Sequence, residues 1–485
     1  MTPFAIIITI AAYLLLLFGV AFLSGRRVDN RGFFIGNRRT TWYMATLAMI
    51  GAAMSGVTFI SVPGSVAADQ FSYMQMVVGF TIGQLVVAFV LIPIFYKRGV
   101  VSLYEYLDQR FGVATHRTGA ACFLVSKVIG ASLKIYVVCS VMQLLVMDYL
   151  NLSFLSNVLL TMLIVWLYTF RGGVRSLILT DTIQSLCLVS SVGVVIYYLC
   201  REMNLTGVEA CDVIASSPYS QMWFFDDPSS ARYFWKMVAG GALSLIAMTG
   251  LDQDMMQRNM SCRTIRDSQI NIVLTAVCQI FVILMFLALG VLMYRYIDFA
   301  QLALPGKGDD LFAYVAVRSG LPLIVGVVFV TGLISSTYSA AGSALTSLTT
   351  SFTLDILNGS KLDADRLTRI RKQTHIVMAM VMVGVILLFH YLANDSVINL
   401  VFKVAGYTYG PILGLFTFGI LSKRRIKEQY VAVIAVLSPL LSYLLQWVVA
   451  KEFDYYIGFE LLGYNALFTI FGLILISHNK NDKAS

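Results

Sequence analysis

Charged residues are scarce in this chain of 485 residues, and it has no long polar segment. Only 13% of the residues are charged, against roughly 25% in soluble proteins, and the mean hydropathy is +0.79. The longest loop, 201–231, is shorter than the roughly 40 residues that an independent domain needs. The composition predicts an integral membrane protein with one membrane domain, 1–485.

Histidine and cysteine are also few, which tells against enzyme chemistry. The four histidines and seven cysteines show no CxxC and no metal-ligand spacing. No candidate nucleophile stands beside a base, so we expect no enzyme activity. Cys200 and Cys211, near the start of the outer loop, are the one pair of cysteines that could form a disulfide.

Apolar segments of about 20 residues, the length that crosses a bilayer, follow one another along the chain. We place thirteen of them: 2–24, 42–65, 76–96, 119–147, 157–170, 177–199, 233–257, 269–293, 321–353, 374–393, 399–421, 429–448 and 460–477. Their number and composition predict an all-α polytopic membrane protein.

The connecting segments alternate in basic content, which predicts the orientation. One set holds 25 of the 35 Lys and Arg residues and the other holds seven, so the first set is expected to be cytoplasmic. The N-terminus is then outside and the C-terminus cytoplasmic, in a bacterial inner membrane. The net charge of +9 is explained by this topology, so no nucleic-acid partner is expected. The first segment lacks a preceding basic region and is expected to be retained as a span.

Residues 335–351, SSTYSAAGSALTSLTTS, form a hydroxyl-rich stretch inside the ninth span. Ten of these seventeen residues are Ser or Thr. Small residues permit close helix packing in membranes, and that is one interpretation. The other is a cation site, because hydroxyl and freed carbonyl oxygens are the ligands that Na+ prefers.

Two spans carry signs of an interruption. The second contains IGAAMSGVTF (50–59), rich in Gly and small residues, and Pro63 and Gly64 follow it. This composition predicts a break in the helix that forms part of a site, and a kink that serves packing alone is the alternative interpretation. In the seventh, Gly250 precedes Asp252, Gln253 and Asp254. Interrupted spans of opposite direction, each opening a five-helix group, predict inverted repeats over 42–200 and 233–421. Residues 1–24 are then an extra first helix, and 429–477 hold two C-terminal helices.

Four motifs carry a family resemblance that covers nearly the whole chain. They are FRGGVRSLILTDTIQ (170–184), GLDQDMMQR (250–258), SFTLD (351–355) and YGPILGLFTFGIL (409–421). Together they resemble the sodium:solute symporter family, which includes sodium-coupled sugar, proline and sialic acid transporters. The resemblance implies a LeuT-type 5+5 inverted repeat with an extra N-terminal helix, thirteen transmembrane helices in all.

The resemblance also implies sodium sites. The main site takes carbonyls of Gly51, Met54 and Ser336 and the hydroxyl of Ser339, and Ala340 stands where relatives place a second hydroxyl. A second site in some relatives uses Asp181 and Ser343, but Gly342 replaces another ligand there. We therefore expect one bound Na+. Asp181 could instead cap its helix or pair with Arg175.

Lys134 lies halfway along the fourth span, where an ionisable group is expected to face a cavity or a partner. It could bind an anionic solute, neutralise Asp181 or Asp252, or replace a missing cation. Snorkelling is a fourth interpretation, and it fits Lys127 better.

These observations predict a sodium-coupled symporter that imports a sugar or a sugar acid such as sialic acid by alternating access. The candidate solute-binding residues are Ser55, Thr58, Gln75, Lys134, Asp252 and Tyr407. The alternatives are a proton-coupled or sodium-independent transporter of the same fold, and a sodium/amino acid symporter. We expect a monomer whose partners are sodium, the solute and the lipid bilayer. A sensor would need a signalling domain after the last span, which we do not expect.

Overall fold

The computed structural model of the protein describes residues 2–25, 29–170, 172–392, 397–453, 455 and 457–478. Its principal elements are long helices joined by short loops. They are α1 Pro3–Gly25, α2 Trp42–Ala53, α3 Gly56–Gly64, α4 Tyr73–Arg98, α5 Val113–Met147, α6 Phe154–Thr169, α7 Gly173–Glu202, α8 Phe234–Gly250, α9 Gln253–Met260, α10 Ile265–Phe299, α11 Leu323–Ile356, α12 Ala364–Leu392, α13 Val397–Thr408, α14 Gly410–Leu421, α15 Glu428–Phe453 and α16 Leu461–Leu475.

Shorter elements lie in the connections. The short helices are Asn30–Ile35, Val66–Asp69, Glu105–Arg110, Gly207–Ser216 and Leu311–Arg318, and single 3₁₀ turns lie at Gly36–Arg38, Pro218–Ser220, Gly308–Asp310, Gly359–Lys361 and Glu428–Tyr430. Two short strands, β1 Arg425–Ile426 and β2 Ser477–His478, pair antiparallel, with Arg425 opposite His478. This pairing ties the end of α14 to the end of α16.

Many of the helices are long and apolar enough to cross a membrane, as the sequence predicts for an integral membrane protein. Across the described residues, eight helices are long and apolar enough to cross a membrane, and ten spans result if each bent pair is one. The shorter apolar helices α6, α14 and α16 fall on three further predicted spans. The total of thirteen membrane crossings stays a prediction.

Both predicted interruptions are present. Helices α2 and α3 meet at an angle of 59° and α8 and α9 at 65°, each across a gap of two residues. The first break is at Met54 and Ser55, whereas Pro63 lies inside α3. The second is at Leu251 and Asp252. A third span that we predicted as continuous, 399–421, is divided at Tyr409 into α13 and α14.

Aromatic packing holds the second half-helix of this broken span, α3, in place. The ring of Phe59 lies 4.9 Å from that of Phe312, 5.7 Å from that of Phe329 and 5.8 Å from that of Phe286. These partners belong to the short helix Leu311–Arg318, α11 and α10. The end of α3 that faces the break is therefore positioned by a buried cluster. Cys200 and Cys211, considered above as a pair, are both free thiols.

Candidate functional site

The break between α2 and α3 exposes backbone carbonyls inside the protein. The last hydrogen bond of α2 runs from Met54 N to Ile50 O, and the first of α3 from Phe59 N to Ser55 O. Residues 54 and 55 are extended, with ψ of 85° and 169°. The carbonyl oxygens of residues 51–54 therefore accept no hydrogen bond within either helix. Gly51 and Met54, two predicted sodium ligands, lie at this open end.

Two glycines bring the break close to α7 and α11. A Cβ on Gly51 would lie 3.1 Å from the carbonyl oxygen of Asp181 and would collide with the Ser185 hydroxyl. A Cβ on Gly56 would lie 3.4 Å from the Ser336 hydroxyl oxygen. Gly51 of α2 therefore packs closely against α7, and Gly56 of α3 lies beside Ser336 of α11.

Most hydroxyls of α11 are bonded to their own helix. Ser336 donates to Leu333 O at 2.8 Å, Ser343 to Ala340 O at 3.1 Å and Ser347 to Ala344 O at 3.0 Å. Ser339 differs, because its hydroxyl donates across to Asp181 Oδ1 of α7 at 2.8 Å. Since the proton of Ser339 is directed to Asp181, the lone pairs of its oxygen are available to a cation.

Asp181 is paired with Arg258 of α9 and not with Arg175. The guanidinium donates to Asp181 Oδ2 from Nη2 at 2.8 Å and from Nε at 3.3 Å, and Arg258 also pairs with Asp254. Both oxygens of Asp181 are therefore engaged, and the expectation of an Arg175 pair is wrong. Because Arg258 neutralises this carboxylate, the structure also removes the role of Lys134 as its partner.

Packing explains the glycine at position 342. A Cβ there would enter the space of the Tyr168 side chain, whose hydroxyl donates to Tyr338 O. A ligand-bearing side chain at Gly342 would have to displace this buried tyrosine. Ser343, the other predicted ligand of a second sodium site, bonds its own helix as described above.

Lys127 and two aspartates form a second ion-paired group. The Lys127 ammonium lies 2.8 Å from Asp254 and 3.1 Å from Asp252, and only 12% of its side chain is exposed. The snorkelling interpretation of Lys127 is therefore wrong. Asp252 caps α9 through the backbone N–H groups of Asp254 and Met255 and accepts from the Tyr409 hydroxyl at 2.6 Å. Its carboxylate is fully occupied by this protein's own groups, so Lys134 does not serve as its counter-ion.

A cavity of about 140 Å³ lies between the two breaks. It is lined by the solute-binding candidates Ser55, Thr58, Lys134 and Asp252, and by Met54, Ala340 and Ser343. Lys134 has no carboxylate within ion-pair distance among the residues that the structure describes. The cavity thus presents one cation, Lys134, that has no direct ion-pair partner in the described part of the chain.

Two candidates lie elsewhere, and several lining residues were not predicted. Gln75 donates to Arg232 O at 2.8 Å and accepts from Phe224 N, and these bonds anchor the end of loop 201–231. The Tyr407 hydroxyl donates to Gln446. The further polar residues that line the cavity are Tyr73, Ser126, Lys127, Ser244, Thr249, Asp254, Gln279 and Tyr409. Lys127 could have been found, because it precedes Lys134 by two helical turns and so shares its face.

Comparisons with known proteins agree with this arrangement. The family model described as the sodium:solute symporter family matches residues 33–433. The sodium/iodide cotransporter of Homo sapiens is 25% identical over 426 residues, covering 86% of this chain. The chain spans 64% of that relative's length. The sodium/sialic acid symporter NanT of Aliivibrio fischeri is 25% identical over 439 residues, covering 86% of this chain and 83% of that protein.

A solved structure shows the same fold. The substrate-bound outward-open state of a Na+-coupled sialic acid symporter matches with a TM-score of 0.80 at 18% identity, covering 97% of both chains. The LeuT-type fold that the family resemblance implies is confirmed.

Proposed function

Because the chain belongs to the sodium:solute symporter family, we propose that it is a sodium-coupled symporter that imports a small organic anion by alternating access. The observation that carries this proposal is the buried cavity between two broken helices, with an unpaired cation in its wall. The protein works as an integral membrane protein, and we place it as a monomer in a bacterial inner membrane. Its two repeats, 42–200 and 233–421, carry the site between them.

The sodium ion binds where α2, α7 and α11 meet. Carbonyls of Gly51 and Met54, the carbonyl of Ser336 and the hydroxyl of Ser339 supply its oxygen ligands, and Ala340 leaves one position without a protein hydroxyl. Two contacts support a single ion: Arg258 neutralises Asp181, and Tyr168 fills the space beside Gly342. Sodium binding fixes the angle of the broken helix and so favours solute binding beside it. By linkage, the solute raises the affinity for sodium equally.

Lys134 binds the carboxylate of the solute. Its ammonium is the cavity-lining cation without an ion-pair partner in the described part of the chain, and a buried unpaired charge is costly. A bound carboxylate removes that cost. The relatives named for iodide and for sialic acid both take their names from anions.

The volume of the cavity bears on the size of the solute. One water molecule needs roughly 10–15 Å³ of such a cavity, so about 140 Å³ holds on the order of ten of them. This favours a carboxylate of few heavy atoms, and a sugar acid as large as sialic acid requires the cavity to widen on binding.

Transport requires two groups of ion pairs to separate. Lys127 of α5 holds Asp252 and Asp254 at the break between α8 and α9, and Arg258 of α9 holds Asp181 of α7. Both groups of ion pairs therefore connect the second broken pair, α8 and α9, to its neighbours α5 and α7. Rocking of the broken helices against α5 and α7 breaks or rearranges them during alternating access.

A thermal-shift screen tests the function. Purified protein in detergent is heated in sodium or choline chloride with a panel of lactate, pyruvate, sialic acid, glucose and proline. A ligand of the native state raises the melting temperature. We expect a carboxylate to do so in sodium and much less in choline. A solute that stabilises equally in both salts would replace this proposal with a proton-coupled or sodium-independent carrier, and a response to glucose or proline alone would reject the anion.

A further inference from the structure

A basic cleft, separate from the solute cavity, lies where α4 and α14 both end. Its volume is about 630 Å³, and three segments line it: the last turns of α4, the short helix Glu105–Arg110, and the end of α14 with the residues that follow it. Among the described residues, no Asp or Glu lines it, and no carboxylate lies within ion-pair distance of its cations. Those cations are Lys97, Arg98, Arg110, Lys423 and Arg425.

Contacts with neighbouring groups hold two of these cations at the wall of the cleft. Arg110 donates to the carbonyl oxygens of Gly419 at 3.1 Å and of Ser422 at 2.6 Å, which caps the end of α14. The guanidinium of Arg98 lies 5.9 Å from the centre of the buried Tyr106 ring, within the range of a cation–π contact. Two positive charges are therefore fixed in position before any ligand enters.

The protein balances only part of the charge in the cleft. The other three cations, Lys97, Lys423 and Arg425, have exposed side chains. Asp108 and Glu428 line the adjoining cleft and not this one. Each helix C-terminus carries about half a negative charge, so the ends of α4 and α14 together offset about one cation. The remaining positive charges repel one another, and an anion that contacts several of them removes that repulsion.

An exposed apolar surface leads away from the cleft along α4. Leu85 and Phe89 are 42% and 60% exposed, and Leu421 at the end of α14 is 79% exposed. At about 1.5 Å per residue, Phe89 and Leu85 lie about 12 and 18 Å along the helix from Lys97. One leaflet of a bilayer, with its headgroups, is about 20 Å thick. A lipid with its headgroup in the cleft can therefore lay its acyl chains on α4.

The charge of the cleft and the apolar surface beside it identify one ligand. We propose that the cleft binds the headgroup of an anionic phospholipid, whose acyl chains pack against α4. The phosphate accepts hydrogen bonds from the exposed cations at the rim. With Lys97 on α4 and Lys423 after α14, a shared phosphate holds the ends of these helices together, so the lipid stabilises the fold. A free phosphate has the same charge but lacks the apolar contact.

A lipid titration tests the proposal. Purified protein in detergent, freed of lipid, is titrated with dioleoyl phosphatidylglycerol or with dioleoyl phosphatidylcholine, and the melting temperature is recorded. We expect the anionic lipid to raise it and the zwitterionic lipid to leave it unchanged, because a ligand of the native state stabilises that state. Equal effects of the two lipids, or no effect of the anionic one, would overturn the proposal.

Two double variants locate the effect. Each Lys or Arg near an anionic membrane surface contributes about fivefold in affinity, so Lys97→Gln with Lys423→Gln should raise the half-maximal concentration of phosphatidylglycerol about 25-fold. The matched control is Lys361→Gln with Arg369→Gln, which removes two exposed cations outside the cleft, on the side of the membrane predicted to be the same. The control should titrate like the unmodified protein. Equal shifts in both variants would show a general attraction to charge and reject the cleft.

Two further measurements separate the lipid from a soluble anion. Sodium phosphate in place of sodium chloride should leave the melting temperature unchanged, and a rise that the cleft variant loses would identify a site for free phosphate instead. A density map of the unmodified protein in nanodiscs that contain phosphatidylglycerol should show a headgroup in the cleft, and an empty cleft would overturn the proposal. Because no measurement uses solute, the proposal is tested even if the assignment of the transported anion fails.

Discussion

Lys127 and Lys134 offer a matched pair of substitutions with opposite expected effects on stability. They lie on the same face of α5, two turns apart, and both line the cavity. Lys127 holds two buried carboxylates at 2.8 and 3.1 Å, whereas Lys134 holds none in the described part of the protein. Changing either lysine to methionine removes the same charge and keeps most of the side-chain volume.

The structure sets the expected magnitude for Lys127→Met. Removing one partner of a buried ion pair costs about 3–5 kcal/mol, because the other charge stays buried. Here Asp254 retains Arg258, and Asp252 retains the Tyr409 hydroxyl and the N–H groups of α9. We therefore expect the lower end of that range, about 3 kcal/mol.

Lys134→Met breaks no direct ion pair in the described part of the chain. It also removes a buried charge that has no ion-pair partner, so stability without solute should be unchanged or higher. Thermal unfolding of both variants in detergent and sodium, without solute, makes the comparison. Equal losses, or a larger loss for Lys134→Met, would refute the pairing that the structure assigns. The same Lys134→Met protein should lose the stabilisation by carboxylate solutes.

Further substitutions test the sodium site. Ser339→Ala should raise the sodium concentration for half-maximal uptake about tenfold, equivalent to about 1.4 kcal/mol, whereas Ser347→Ala should not, since that hydroxyl bonds its own helix. Ala340→Ser restores the adjacent hydroxyl and should lower the sodium requirement in the same uptake assay; an unchanged requirement would place position 340 outside the ion's shell. Gly342→Ser should destabilise the protein by about 1–3 kcal/mol in thermal unfolding, because its side chain enters the space of Tyr168; a fully stable variant would contradict that packing.

The sequence predicted where the chain breaks, but not the residue that sets the first break. The small residues of 50–59 contain the break at Met54 and Ser55. Pro63 also suggested a break, yet it lies inside α3, one residue before that helix ends at Gly64. Near the end of a short helix, a proline removes only one hydrogen bond that could otherwise form. The two glycines on either side of the break, Gly51 and Gly56, were the better signal.

Charge pairing could not be predicted from sequence. Lys127 and Asp252 are 125 residues apart, and Asp181 and Arg258 are 77 apart. The sequence shows that such charges lie in or near the membrane and need partners. Which carboxylate meets which cation depends on how α5, α7 and α9 pack. For that reason the sequence alone suggested that Lys127 snorkels and that Asp181 pairs with Arg175, and neither interpretation is correct.

The charges of the site lead to a prediction about energetics. Around the cavity, the three cations Lys127, Lys134 and Arg258 equal in number the three carboxylates Asp181, Asp252 and Asp254, although Lys134 forms a direct ion pair with none of them. The site is therefore formally neutral before cargo enters, and one Na+ with one carboxylate leaves it neutral. A transport cycle that moves this pair carries no net charge, so the membrane potential should not drive it.

A neutral solute with one Na+ would behave differently, since 100 mV then contributes about 2.3 kcal/mol, a factor of roughly 50 in accumulation. Proteoliposomes with a fixed sodium gradient, and a potassium diffusion potential set with valinomycin, separate the two cases. For the stabilising carboxylate, we expect the same uptake at zero and at −100 mV. Accumulation that rises many-fold with the potential would mean that more than one Na+ crosses with each anion. Arg258 and Tyr168 would then not exclude the second ion, and the assignment of a single sodium would be wrong.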